Sequence, residues 1–146
     1  MPGGVAFDTT IKVWVVASLA AVNLIARDAA IEVANRVIER TPIDESPDAD
    51  EIVAKGDWNA AIGSIPSDPN QGDRSGEIAT AYIEAVAHQW DAMKGQPFVI
   101  ANHRHYMDRI EYIGWKYTGP YAPMGKTVVE WDDIVQKMVR KHHGAT

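Results

Sequence analysis

Asp8-Thr9-Thr10-Ile11-Lys12-Val13-Trp14-Val15-Val16-Ala17-Ser18-Leu19-Ala20-Ala21-Val22-Asn23-Leu24-Ile25-Ala26 is the stretch that decides the fold, together with its continuation to Arg40. No Gly or Pro interrupts it, and Asp8, Thr9 and Thr10 offer side-chain oxygens for an N-terminal cap. Val15, Leu19, Val22, Ala26, Ala29, Val33 and Val37 recur at three- and four-residue intervals, the period of a buried helical stripe. Arg27, Asp28, Glu32, Arg36 and Glu39 fall mostly on the other side. The spacing predicts one α-helix over residues 10–40, about 45 Å long at 1.5 Å per residue. Pro42 ends it, because the residue before a proline is pushed out of the helical region.

The apolar run at residues 13–26 is not read as a membrane span. It is fourteen residues long and broken by Ser18 and Asn23, and a spanning helix needs about twenty. Lys12 and Asp8 ahead of it make a poor signal-peptide flank. The chain of 146 residues, 46% hydrophobic and 23% charged, therefore reads as one soluble, intracellular domain over residues 1–146. Its lack of cysteine excludes disulfides, a thiolate nucleophile and cysteine-ligated zinc or iron–sulfur sites. A net charge of −6 argues against sequence-independent nucleic-acid binding, which Lys and Arg drive by displacing counterions. The whole acidic excess sits in residues 41–73, where Asp44, Glu45, Asp48, Asp50, Glu51, Asp57, Asp68 and Asp73 face a single base, Lys55.

Beyond the first helix, residues 41–57 read as a loop or extended arm and residues 58–63 as a short strand. A second helix is expected over residues 76–93, with Ile78, Tyr82, Ala85, Val86 and Trp90 sharing its apolar face. Gly95 and Pro97 stop it. Residues 98–101 are a continuous apolar strand. Residues 102–117 are expected to hold further short strands, and residues 118–126 a loop. Thr127-Val128-Val129-Glu130 reads as a capping box opening a last helix. Trp131, Val135, Met138 and Val139 are its expected apolar face, and Lys137, Arg140, Lys141, His142 and His143 complement its dipole. The expected class is α+β, a long N-terminal helix and two further helices packed on a small, mainly antiparallel sheet.

Residues 102–111 hold the cluster closest to a catalytic site: His103 and His105 on one side of a strand, with Asp108 and Glu111 following. A metal-dependent enzyme using these groups is the alternative reading, but Arg104 stands between the histidines and no metalloprotease-type motif follows. Residues 119–127 resemble a phosphate-binding loop only at a glance. Five residues separate the glycines where the motif has four, and Pro120 and Pro123 lack the amides that cradle phosphate. No serine stands in a nucleophile elbow. Asp132 and Asp133 suit a helix start. Trp58, Trp90, Trp115 and Trp131 are mostly expected as core anchors, while residues 112–117 are aromatic enough for a subunit interface. The reading is that of a non-enzyme without cofactor or metal.

An ordered set of segments resembles the tailed-phage neck and tail-completion family, the minor tail protein Z type of lambda-like phages. The segments are Arg40-Thr41-Pro42-Ile43-Asp44; Lys55-Gly56-Asp57-Trp58-Asn59-Ala60-Ala61-Ile62-Gly63; Val99-Ile100-Ala101-Asn102-His103-Arg104-His105-Tyr106; Ile110-Glu111-Tyr112 with Gly114-Trp115; and Ala122-Pro123-Met124-Gly125. The resemblance implies a structural virion protein at the head–tail junction, made in the host cytoplasm. It implies a ring, typically a hexamer, through which DNA passes without specific binding. The partners implied are other copies of itself and neighbouring neck, tail-terminator or tail-tube proteins, with no membrane involved. A ring interface joins two different patches of each subunit. The candidates are an acidic arm at residues 43–57 carrying Asp44, Glu45, Asp48, Asp50 and Glu51, and an aromatic turn at residues 103–121 carrying His105, Tyr106, Tyr112, Trp115, Tyr117 and Tyr121. With few apolar residues to offset their ordering entropy, residues 44–56 are expected to be mobile in the isolated subunit and to become ordered only against a neighbour, and Trp115 is the expected hot spot.

Overall fold

The computed structural model describes residues 2–43, 54–69, 73–104, 106–114 and 119–142, with side chains described from Ser18 onward. Helix α1 runs Pro2–Arg40, about 58 Å of rod. It starts eight residues before the expected point, so Asp8, Thr9 and Thr10 stand inside it and not at its cap. Strand β1 (Trp58–Ile62) follows a 3-10 turn at Ala54–Gly56, and pairs antiparallel with β2 (Phe98–Asn102). The register sets Trp58 opposite Asn102 and Ile62 opposite Phe98. Between them runs helix α2 (Glu77–Gln89), and after β2 come a π-helical turn (Arg109–Ile113), helix α3 (Pro123–Val128) and helix α4 (Trp131–Lys141). The fold is the expected α+β arrangement: helices packed on a small two-stranded antiparallel sheet among the described residues.

α1 is the spine. On one flank Ala34, Val37 and Ile38 pack with Trp58, Ala60, Ala79 and Ile83 from β1 and α2. On the other flank Ala29 packs with Ile134 and Met138 from α4. The buried line of α1 therefore runs through Ala21, Ala29, Ala30, Ala34, Val37 and Ile38, and Leu19 and Val22 of the expected stripe are exposed. Small alanines let α2 and α4 approach the same helix from two sides, so close packing selects positions that hydrophobicity alone does not.

Several local expectations need correction. The buried face of α2 is Ala79, Ile83 and Ala87, while Ile78 and Tyr82 are about half exposed. α2 ends at Gln89, not near residue 93, because Trp90 turns extended and Asp91 opens a separate 3-10 turn by accepting from the Met93 amide. Residues 106–114 form a turn ending in the π-helical segment, where strands were expected. Part of the expected loop at residues 118–126 is helix α3. Thr127 then lies within α3, its hydroxyl donating to the Pro123 carbonyl, so it caps no later helix, and Glu130 makes no cap hydrogen bond. On α4 the buried pair is Ile134 and Met138, whereas Trp131 and Val139 are exposed. Asp132 and Asp133 do stand in its first turn.

Two glycines carry the sharpest backbone demands. A Cβ on Gly56 would lie 1.7 Å from the Asp73 carbonyl oxygen, so only glycine lets the two chain segments pass. Gly76 sits at φ 81° before α2, against Ile38. The start of α2 is capped from outside by Asp73, whose carboxylate accepts from the amides of Ser75 and Ile78. Burial opposes the charge on Asp73; these amides and the Ser75 hydroxyl outweigh it and hold its pKa below the ordinary value. Among the described residues no helix is long and apolar enough to cross a membrane.

Candidate functional site

The segments quoted for the resemblance meet one another in space, and their polar side chains fasten the fold. Thr41, fully buried at the end of α1, donates its hydroxyl to the Val37 carbonyl at 2.7 Å and accepts the Trp58 indole N–H at 2.9 Å. This one hydroxyl both ends the helix and docks β1 against it. Asn59 donates to the Ser67 carbonyl, Asn102 to the Ala54 carbonyl, and the Asn59 amide oxygen accepts from the Ala60 N–H. The Glu111 carboxylate accepts from the amides of Met124 and Gly125 at 2.8 and 3.1 Å, satisfying two orphan donors at the start of α3. The Ile110 carbonyl accepts from Tyr121 and Ala122.

The 102–111 cluster is drawn into the same work. His103 donates from Nε2 to the Pro66 carbonyl at 2.6 Å, and Arg104 bridges Asp57, which is fully buried, and Asp68. Burial opposes the Arg104 charge, and the two carboxylates outweigh it and raise its pKa. His105 lies outside the described residues, and Glu111 serves α3. Among the described residues no group of three or more His, Asp or Glu side chains is placed to hold a metal ion.

The charged side of α1, expected to face away from the packed stripe, instead receives α3 and α4. Arg40 grips Glu130 through its two terminal guanidinium nitrogens, at 2.5 and 2.9 Å, and donates to the Thr127 hydroxyl. Arg36 lies between Glu32 and Glu130, and Lys137 reaches Glu32 at 3.0 Å. Asp28, 8% exposed, receives Lys141 at 2.9 Å and His142 at 2.7 Å. Burial would raise the Asp28 pKa; the hydrogen bonds from Lys141, His142 and Arg27 override it and hold it at about 2. Glu130 is held at about 2, chiefly by Arg40.

Of the interface residues expected from sequence, Asp44, Glu45, Asp48, Asp50, Glu51, His105, Trp115 and Tyr117 lie outside the described residues, as does most of the acidic arm. The end of that arm is described: Ala54, Gly56 and Asp57 are buried, so residues 54–57 belong to the body of the fold. Tyr112 is 76% exposed on the π turn beside an exposed Ile113, whereas Tyr106 and Tyr121 are half-buried. Sequence reasoning missed a second apolar surface: Val128, Val129 and Trp131 stand exposed at the α3–α4 junction, with Val129 82% accessible. They form an apolar run in the sequence, but the capping-box spacing and the helical period point to a helix start and to core. No family model, curated protein or solved structure matches this chain.

Proposed function

We propose that this chain is a structural subunit that works by self-association and docking, without turnover. In this reading it forms a ring at the head–tail junction of a tailed phage, as a neck, tail-completion or tail-terminator protein. The observation that carries the assembly role is the exposed knuckle of Val128, Val129 and Trp131. It is fastened to the end of α1 by the Arg40–Glu130 pair, which reduces the ordering that docking would have to supply. The exposed Tyr112 and Ile113 are of the same kind. The chemistry-bearing side chains His103, Arg104 and Glu111 support this reading because each makes a contact that holds the chain together. The phage setting rests on the resemblance of the ordered segments.

Sedimentation velocity and negative-stain imaging of the purified protein test the proposal. The expected result is a closed ring in equilibrium with monomer. Trp131→Ala leaves circular dichroism and melting close to wild type and removes the ring, since a desolvated Trp anchor costs about 2 kcal/mol or more per interface when truncated. A wild-type chain that stays monomeric at all concentrations, or that carries stoichiometric zinc or manganese, overturns it.

A further inference from the structure

α1 is longer than the body packed on it. α4 is tied to α1 at Asp28, through Lys141 and His142. The 3-10 turn Ala92–Lys94 is tied at Asn23, whose side-chain oxygen accepts the Ala92 amide at 2.9 Å. Leu19 and Val22 precede both ties, yet they point to the packed side. About three turns further along α1 the same directions are held by Ala30, which is buried, and by Val33, which packs against both core clusters. Leu19 and Val22 are nonetheless about half exposed, as is Met93 on the turn beside them. The core-facing side of α1 thus overhangs its neighbours, and the exposed Lys94 next to Met93 gives the overhang a cation. Asp91, the acid of that turn, is engaged by the Met93 amide.

The knuckle has the converse character. Val128, Val129 and Trp131 are exposed beside Arg40, about 25 Å along the α1 axis from Asn23. Two exposed acids, Asp132 and Asp133, follow Trp131. Glu130 is held by Arg36 and Arg40, and Lys126 turns to the groove lined by Pro42 and Tyr121. We infer that the knuckle of one copy docks on the overhang of the next. Val128, Val129 and Trp131 cover Leu19, Val22 and Met93, and Asp132 and Asp133 meet Lys94. The inference rests on the ring reading above and names its joint. A second copy is the occupant because the two apolar patches are complementary in charge, one bordered by acids and the other by a base. They also lie at opposite ends of one helix, the arrangement a head-to-tail interface requires. Two knuckles, or two overhangs, set face to face would oppose like charges.

Sedimentation velocity on the full chain tests the joint with variants at exposed positions. Val22→Glu in the overhang and Val129→Glu in the knuckle are each expected to melt like wild type. Each is expected to self-associate at least about tenfold more weakly, because it buries a carboxylate in an apolar contact. Their equimolar mixture is expected to stop at heterodimers, since one intact overhang meets one intact knuckle and no second working joint remains. Lys94→Glu is expected to weaken association too, and adding Asp132→Lys and Asp133→Lys to the same chain to restore it toward wild type. These charge variants decide the matter if Val22→Glu does not fold. Folded Val22→Glu or Lys94→Glu chains that associate as wild type does overturn this inference and leave the ring reading standing. A mixture no better associated than its components overturns it too, as does a charge-swapped chain no stronger than Lys94→Glu. A wild-type chain that never associates overturns the ring reading and this inference together.

Discussion

α1 is held on its two flanks by different chemistry. Toward the sheet, the ties are buried: the Thr41–Trp58 hydrogen bond and a packed layer of Val37, Ile38, Ile83 and Ala79, behind which the Asp57–Arg104 pair joins the two ends of the sheet to each other. Toward α4, a small apolar contact of Ala29, Ile134 and Met138 is bordered by ion pairs, several reaching into solvent. Lys137 and Lys141 are more than half exposed where they meet Glu32 and Asp28. Buried ties are costly to break because the partner left behind has no water to turn to. Exposed ion pairs contribute little each, since water competes for both ions. The sheet flank should therefore carry the stability, and the α4 flank its dependence on pH and salt.

The largest effect expected is at Trp58. Trp58→Ala removes a buried ring from the sheet-side core and the bond that the Thr41 hydroxyl accepts, costing about 3–5 kcal/mol in urea unfolding. Trp58→Phe keeps most of the volume and isolates the indole hydrogen bond, at about 1 kcal/mol. Close behind is Arg104→Met, which leaves the fully buried Asp57 without its guanidinium and costs about 3 kcal/mol. A loss under about 1 kcal/mol in either Trp58→Ala or Arg104→Met would break the comparison.

On the α4 flank the effects are smaller and depend on pH. Asp28 has a folded pKa of about 2 against an ordinary 3.8. A depressed carboxylate stabilises the fold fully above its unfolded pKa, and that contribution disappears as pH falls from about 4 towards 2. Glu32 and Glu130 are shifted in the same direction, so acid should loosen this seam first. Asp28→Asn is expected to cost about 1–2 kcal/mol at pH 7 and to flatten the acid limb of the stability profile. Amide exchange in α4 that rises before exchange in β1 on acidification sharpens the comparison; simultaneous rises contradict it. Smallest of all, Lys137→Ala should cost no more than about 0.5 kcal/mol at low salt and nothing measurable at 1 M salt, checked by thermal melts.

The fold was legible in sequence where local signals agree. The unbroken run to Arg40 specifies a long helix, and the alternation of breakers with apolar segments places both strands within one residue of their observed ends. The candidate site was less legible. Glu111 reads as a member of a His/Asp/Glu cluster, yet its partners are two backbone amides thirteen and fourteen residues further on. Thr127 and Glu130 have the spacing of a capping box, yet both contact Arg40, some ninety positions away. A spacing rule sees neighbours along one helix and is blind to such partners.

The sequence by itself determined that α1 is long, that a small sheet accompanies several helices, and that the acidic charge is concentrated in residues 41–73. These follow from backbone preference and from composition, which are properties of each segment alone. Which face of each helix is buried was decided only by the tertiary structure. So were the employment of Asp28 and Glu130 as clasps between helices, and the exposure of Val128, Val129 and Trp131. The physical reason is that α1 is approached from two sides at once. Its alanines sit where neighbours come closest, its charges where α4 can answer them, and Leu19 and Val22 are left toward solvent.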